Sequence, residues 1–522
     1  MQFGRPAGWM LATFMGVQTM AFAQTRVQQK TADGVLEGVI SADGKVRTFK
    51  GIPFAAPPVG ALRWKAPQPV VPWMGVRDAS QFGARCMQGN IYSDMIFHDA
   101  GPSEDCLHLN LWMPANPPSA KLPVMVWIYG GGYQAGATSE ARQDGGNLSK
   151  KGVVVVSMDY RLGIFGFFSH PDLAKESGHN ASGNYGLMDQ LAALQWVKKN
   201  IATFGGDPGN VTIFGESAGS FSVSALVASP LAKGLFQRAI GESGAYFASS
   251  PLPLKPLSET AKAATEFAKT SLGTDSLADL RAKSADDVLQ AALKAKGMNF
   301  TPNIDGYYLP EDVPAIFAAG KQSMVPLLAG WNLDENPARS IFGPDAPTTE
   351  NFLKHVQKLY GSNAEQIAKL YAGSSETEIK RAAADLASDR FIGFGTWKWL
   401  EMTAKTGKVP VYRYKFEQPL PLAPDAPADA EPMVPHASEI EFVFQMLPWR
   451  PLPWRAEDRA VSELMASYWS NFAKKGDPNG EGVPHWPTYS AKDDYQVLHI
   501  TPAPKAAPDA HRARYLFLDS LR

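Results

Sequence analysis

An α/β fold with a large, mostly parallel central sheet flanked by helices, and antiparallel strands at its N-terminal edge, is what this 522-residue sequence predicts. Three observations predict it. Short apolar runs recur along the chain, each ending in a Gly-rich or polar turn and followed by a helical pattern, as parallel strands joined by crossover helices do. One such run, Val211 to Phe214, ends in Gly-x-Ser-x-Gly and passes directly into a stretch, Ser220 to Ala228, that can be helical. No internal repeat and no Gly/Ser linker divides the chain, so residues 24 to 522 read as a single domain, although a prior of about 150 residues per domain would suggest three.

The elements follow in chain order. Residues 1 to 23 carry Arg5, apolar character from Trp9 to Met15 and from Met20 to Phe22, and the small-x-small triplet Ala21-Phe22-Ala23. That pattern predicts a secretory signal peptide, and hence a periplasmic or secreted mature protein. Val35 to Ile40 and Lys45 to Lys50 flank Ser41-Ala42-Asp43-Gly44 as a hairpin, the antiparallel edge often found on a parallel sheet. Cys86 and Cys106 are the only cysteines; two cannot make a four-ligand zinc site unaided, so they are a disulfide in an oxidising compartment or two buried thiols. The strand candidates are Val124 to Tyr129, Val153 to Met158, Val211 to Phe214, Ala239 to Ile240, Val325 to Ala329 and Val411 to Phe416. Between the second and third, Leu187, Leu191, Leu194, Val197 and Ile201 make one face of a helix. Pro419 to Pro435, rich in Pro, Ala and acidic residues, reads as a surface loop of the length used for lids or binding loops, and it runs straight into His436.

Composition excludes several classes of function. With 45% hydrophobic residues the chain has ample material for a large core, which rules out long-range disorder. Fifty basic against 51 acidic residues leave a net charge of −1, so no basic field exists to hold nucleic acid. No internal apolar run approaches the roughly 20 residues of a membrane span.

Chemistry concentrates at two strand ends. In Gly215-Glu216-Ser217-Ala218-Gly219 the strand, the turn and the following helical stretch give the context of a nucleophile elbow: the glycines let strand and helix approach closely, and the serine hydroxyl projects above the sheet. At a second strand end, Gly130-Gly131-Gly132 leaves backbone N–H groups unshielded. By itself a Gly triplet is a flexible turn. Paired with the elbow, Gly131, Gly132 and the N–H of Ala218 become the expected oxyanion-hole donors.

These stretches, with several others, resemble the type B carboxylesterases, the cholinesterase-like branch of the α/β-hydrolase fold. The others are Phe49 to Ala55 with Arg63-Trp64, Ser103 to Asn110, Asp159 to Gly163, Gly183 to Gln190, Phe204 to Pro208, Asn471 to Lys474 and Gly476 to Asn479. The resemblance covers nearly the whole mature chain and implies a triad in the order Ser, acid, His. Gly330 to Glu335 is similar to the family's acid motif and places the acid at Glu335, with Asp334 as runner-up; Asn336 stands where the family usually has Gly. Pro435 to Phe444 resembles the histidine motif and marks His436. Glu216 and Ser243 resemble positions near the triad, and the family closes a loop at the mouth of its active-site gorge with the cysteine pair.

The resemblance implies a serine carboxylesterase acting on a small-molecule ester through an acyl-enzyme, with no metal and no organic cofactor. The same triad could serve amides or carbonates, and some members of the fold are non-catalytic adhesion proteins, but this chain keeps serine, glutamate, histidine and Gly triplet together. Cholinesterases hold a quaternary ammonium on a tryptophan between the two cysteines; this chain has Tyr92 and Phe97 there and no tryptophan. A preference for neutral, short-chain or aromatic esters is therefore expected.

Overall fold

A computed structural model describes residues 25–117, 121–248, 251–295, 297–371 and 373–521; the segment read as an export signal, residues 1–23, lies outside them. Thirteen strands of the described chain form one sheet. In chain order they are β1 (Arg26–Lys30), β2 (Val35–Ile40), β3 (Val46–Pro53), β4 (Val76–Asp78), β5 (His108–Pro114), β6 (Leu122–Ile128), β7 (Val154–Met158), β8 (Gly206–Glu216), β9 (Arg238–Glu242), β10 (Leu327–Asn332), β11 (Val411–Phe416), β12 (Gln496–Ile500) and β13 (Lys505–Pro508). Across the sheet they run β1-β2-β3-β5-β7-β6-β8-β9-β10-β11-β12-β13, with β4 beside β2. From β7 to β12 every neighbouring pair is parallel. The pairs β1–β2, β2–β3, β3–β5 and β5–β7 are antiparallel, as is β12–β13 at the far edge.

Why these segments are central strands follows from what covers them. Val154, Val155, Val156 and Met158 of β7, and Val124 to Ile128 of β6, are fully buried on both faces, as a strand must be when helices lie over both sides of a parallel sheet. Helix α1 (Tyr185–Asn200) turns Leu187, Leu191, Leu194 and Val197 into the core, the face read from their spacing. Helix α2 (Ala218–Ala228) is buried at every position and follows β8 without a linker longer than Ser217.

The strand order reverses around β6, which has β7 on one side and β8 on the other. Ligand sites of open α/β sheets lie at such a reversal, beyond the carboxyl ends of the strands. One register row, Glu216–Glu242–Gly330–Tyr414, crosses the ends of β8, β9, β10 and β11. The side chains with chemistry lie on this row or just beyond it.

The strand boundaries differ from expectation in instructive ways. β8 begins at Gly206 instead of Val211, because pairing with β6 resumes across a register shift between Gly206 and Val211. β10 spans Leu327–Asn332, reaching three residues past the expected end at Ala329, carried by partners on both sides. β1, β4, β5, β12 and β13 fall outside the strand candidates; β5 is buried along its whole length and owes its place to β3 and β7. Residues 419–435 form no regular element, as expected of them, but both ends are tied down: Leu420 N–H donates to the Met433 carbonyl, and Val434 N–H to the Asp334 carboxylate at 2.9 Å.

Cys86 and Cys106 are joined in a disulfide whose two cysteines are buried, 20 positions apart in sequence. Closing a loop of that length stabilises the fold by about 3 kcal/mol on the chain-entropy model. The double substitution Cys86→Ala and Cys106→Ala is expected to lower the unfolding temperature by a few degrees. Ester turnover should stay within about tenfold of the parent, since the hydrogen bonds that join Ser217, His436 and Glu335 involve neither cysteine. Peptide mapping without reductant should find the two cysteines joined; two alkylatable thiols in the native protein would contradict it.

Candidate active site

Ser217 sits between the last residue of β8 and the first of α2, at φ 52° and ψ −122°. A non-glycine residue there is strained; the surrounding contacts hold it. Its N–H donates to the Glu242 carbonyl at 2.8 Å and its carbonyl accepts from Phe221 N–H at 2.9 Å. The flanking glycines are required by close approach, because a Cβ on either Gly215 or Gly219 would strike the Ile128 carbonyl of β6. At the neighbouring strand end, a Cβ on Gly130 would lie 2.9 Å from Ser217 Cβ.

His436 reaches the serine from the loop after β11. Its Nε2 lies 2.9 Å from Ser217 Oγ and its Nδ1 lies 2.5 Å from Glu335 Oε2. Glu335 is 4% exposed, and its other oxygen accepts 2.6 Å hydrogen bonds from the Asn332 N–H and from the Ser243 hydroxyl. Three donors thus converge on one carboxylate and fix its orientation. The Phe391 ring meets His436 edge-on, with centroids 5.2 Å apart, and comes from a π-helical turn, Asp389–Gly393, an irregularity often found at functional sites.

The neighbouring Asp334 takes no part in this chain of contacts. It pairs with Arg381 at 2.5 Å and accepts from Val434 N–H. That bond pins the chain two residues before His436, so Asp334 supports the histidine's loop.

Gly131 and Gly132 adopt positive φ of 104° and 63°. Among the described residues neither N–H meets a protein acceptor. Ala218 opens α2, so its N–H is one of the first four of the helix, which lack intrahelical partners. Beside these groups stands the segment closed by the disulfide: the Tyr92 hydroxyl and Met95 Cε each lie 3.2 Å from where a Cβ would stand on Gly132 and Gly131 respectively.

A group of buried carboxylates surrounds the histidine. Glu216 Oε1 lies 3.2 Å from His436 Nε2. Burial pushes the Glu216 carboxyl up to about 8, against the pull of the imidazole. Burial and then the Glu335 charge push Glu439 up to about 7. Burial holds Glu242 well above its ordinary value, with the Glu439 charge adding to it. For His436 itself burial works against the charged form, but Glu216 and Glu335 outweigh it and hold the ring above its ordinary value. A proton on Glu216 removes the largest of those upward pulls, so protonated Glu216 and a neutral imidazole are compatible near neutral pH.

The structure therefore brings Ser217, His436 and Glu335 into one hydrogen-bonded line, with Glu216 and Ser243 touching it. It adds Asn332, Glu242 and Glu439, which sequence reasoning had not singled out. Asn332 donates to Glu439 Oε2 at 2.5 Å and through its backbone to Glu335, while Trp469 donates to Glu242 at 2.8 Å. All three lie in or beside stretches already quoted, Glu439 three residues after His436, but a glutamate's burial is not written in its neighbours. Among the described residues no group of His, Cys, Asp and Glu is arranged to hold a metal ion, and no helix is long and apolar enough to cross a membrane.

A sequence profile of the carboxylesterase family matches residues 23–517. The chain is 37% identical over 490 residues to the fumonisin B1 esterase of Sphingopyxis macrogoltabida, covering 91% of this chain and 86% of that protein. It is 37% identical over 525 residues to carboxylesterase 1D of Rattus norvegicus, covering 91% and 89%. To the cocaine esterase of Homo sapiens it is 36% identical over 520 residues, covering 92% and 89%.

Proposed function

The chain belongs to the carboxylesterase family and is a carboxylic-ester hydrolase, and from that premise we propose that Ser217 is the nucleophile, His436 the general base and Glu335 the acid that orients it. The observation that carries this reading is the line Ser217 Oγ, His436 Nε2, His436 Nδ1, Glu335 Oε2, with spacings of 2.9 and 2.5 Å at its two hydrogen bonds. Ser217 Oγ attacks the ester carbonyl carbon while its proton passes to His436 Nε2. The carbonyl oxygen becomes an oxyanion facing the N–H groups of Gly131, Gly132 and Ala218. As the tetrahedral intermediate collapses, the alcohol leaves with the proton from His436, and Ser217 is left acylated. Water then attacks the acyl carbon with His436 as base, releasing the carboxylic acid and restoring the serine. Glu335 keeps its hydrogen bond to His436 Nδ1 and stabilises the imidazolium formed in each half-reaction.

For substrate preference, the aromatic group beside Gly132 is Tyr92, on the disulfide-closed segment. A phenol ring holds a quaternary ammonium more weakly than an indole. The adjacent Glu216, pushed up to about 8, is largely uncharged at neutral pH and offers a cation little attraction. Both features favour neutral, short-chain or aromatic esters. Matched pairs test this: the neutral ester is expected to have the higher kcat/KM, and a clearly higher kcat/KM for a choline ester of the same acyl group and similar leaving-group pKa would overturn it. The disulfide fits an oxidising compartment and so supports export of the mature protein.

A further inference from the structure

The segment between Cys86 and Cys106 brings a sulfur to the Gly triplet. Met95 is partly exposed, and its Cε stands 3.2 Å from where a Cβ would be on Gly131, so its methyl group packs against the turn that carries the Gly131 and Gly132 N–H groups. The segment is fastened on both sides of Met95 to the stretch that follows the triplet. Before it, the Gln88 amide donates to the Gly136 carbonyl at 2.8 Å and accepts from the Gly136 N–H at 2.9 Å. After it, Phe97 forms an antiparallel backbone bridge with Glu140, and the Ser139 hydroxyl donates to Asp99 at 2.5 Å. A change at the Met95 sulfur is therefore felt at the triplet instead of being swung out to water.

Chemistry singles out this sulfur as well. Both cysteines of the chain are in the disulfide, so no thiol competes for a two-electron oxidant and the thioethers are the softest nucleophiles left. Met74 and Met433 are more open, at 98% and 42% exposed, but neither meets the Gly triplet. Oxidation turns the flexible apolar side chain of methionine into a polar one whose new oxygen accepts hydrogen bonds. Beside Met95 stand the Gly131 and Gly132 N–H groups, which among the described residues have no protein acceptor. An oxygen placed there finds the donors that an ester carbonyl needs.

We propose that Met95 is an oxidation site that shuts the esterase reversibly. Hydrogen peroxide transfers one oxygen atom to the Met95 sulfur; the thioether is oxidised to a sulfoxide, and the peroxide is reduced to water. The sulfoxide oxygen then competes with the substrate carbonyl for the N–H groups of Gly131 and Gly132. Its effect rests on the reading of those two residues as oxyanion donors. Loss of one such donor lowers turnover by about a hundredfold or more. Methionine sulfoxide reductases return the thioether, so the loss can be undone.

Timed exposure of the intact protein to hydrogen peroxide tests this, with ester turnover and the sulfoxide content of each methionine followed together, the latter by peptide mass mapping. Turnover is expected to fall by about a hundredfold in step with sulfoxide at Met95, and not with sulfoxide at Met74 or at Met433, three residues before His436. Each variant is compared with its own untreated activity: Met95→Leu should resist the oxidant, while Met433→Leu should stay as sensitive as the parent. Methionine sulfoxide reductases A and B should restore turnover, and their reductant alone should not. Organophosphate labelling of Ser217 should slow along with turnover, because the phosphoryl oxygen uses the same N–H groups. Labelling before any oxidant is added reads the triad by itself, and no label there would overturn the triad. Normal labelling combined with turnover that survives full oxidation of Met95, or turnover lost as fast in Met95→Leu as in the parent, would overturn this proposal alone. So would a Met95 that stays unoxidised while turnover falls.

Discussion

Replacing Ser217 with alanine is expected to leave a folded protein whose ester turnover has fallen by about a million-fold, the loss seen when the nucleophile of a serine triad is removed. The size follows from what the hydroxyl does: without it no acyl-enzyme forms, and what remains is the catalysis that oxyanion donors and substrate binding give to attack by water. Folding should survive because the turn is held by backbone contacts. The Ser217 N–H still meets the Glu242 carbonyl and its carbonyl still accepts from Phe221; the side chain contributes only the bond to His436. Thermal unfolding should therefore barely move while kcat collapses. In the parent protein an organophosphate should label Ser217. Ser243, fully buried and donating to Glu335, should stay unlabelled; a label on Ser243 would overturn the assignment of the nucleophile.

What could be read from the sequence was local, and what escaped was tertiary. The elbow was legible because its pattern is written in five residues, even though the carbonyl its glycines make room for is Ile128 of β6; so was α1, whose apolar spacing is its own evidence. The full extent of β8 was not, since Asp207, Pro208, Gly209 and Asn210 have no strand character and enter the ladder only because β6 pairs with both ends of the stretch. The same holds for the carboxylates. A glutamate is read as a solvated charge unless a partner is known; Glu242 acquires its partner only when the helix Ala456–Lys475 brings Trp469 to β9, and Glu439 only when β10 brings Asn332 to the histidine loop. The choice between Asp334 and Glu335 shows the limit most directly. Composition and spacing do not separate two adjacent acids at a strand end; the resemblance put Glu335 first and Asp334 second, and the fold sends Glu335 to His436 and Asp334 to Arg381.

That choice is open to a second large test. Glu335→Gln is expected to lower kcat by about ten-thousand-fold, because a triad acid turned into an amide stabilises the wrong tautomer of the histidine. The inventory of bonds says why. Glu335 accepts from three donors, two of them, the Asn332 N–H and the Ser243 hydroxyl, at Oε1. A glutamine has only one acceptor oxygen. Placed at the Oε1 position, that oxygen satisfies two donors and turns the amide NH2 toward His436 Nδ1, where only an acceptor nitrogen fits. The imidazole proton is then driven to Nε2, and the ring faces Ser217 as a donor with no capacity to take its proton. Asp334→Asn meets a milder conflict, since its amide NH2 then faces the Arg381 guanidinium, which can turn to water. Its amide oxygen can still accept from Val434 N–H, and the ion pair lost is to Arg381, whose side chain is 38% exposed. A pair so open to water contributes about 0–1 kcal/mol, so kcat should fall less than about tenfold, with a small drop in unfolding temperature. Steady-state kinetics of the two variants on one ester decide the matter: if Asp334→Asn loses more activity than Glu335→Gln, the acid is Asp334 and the line from Ser217 through His436 must be redrawn.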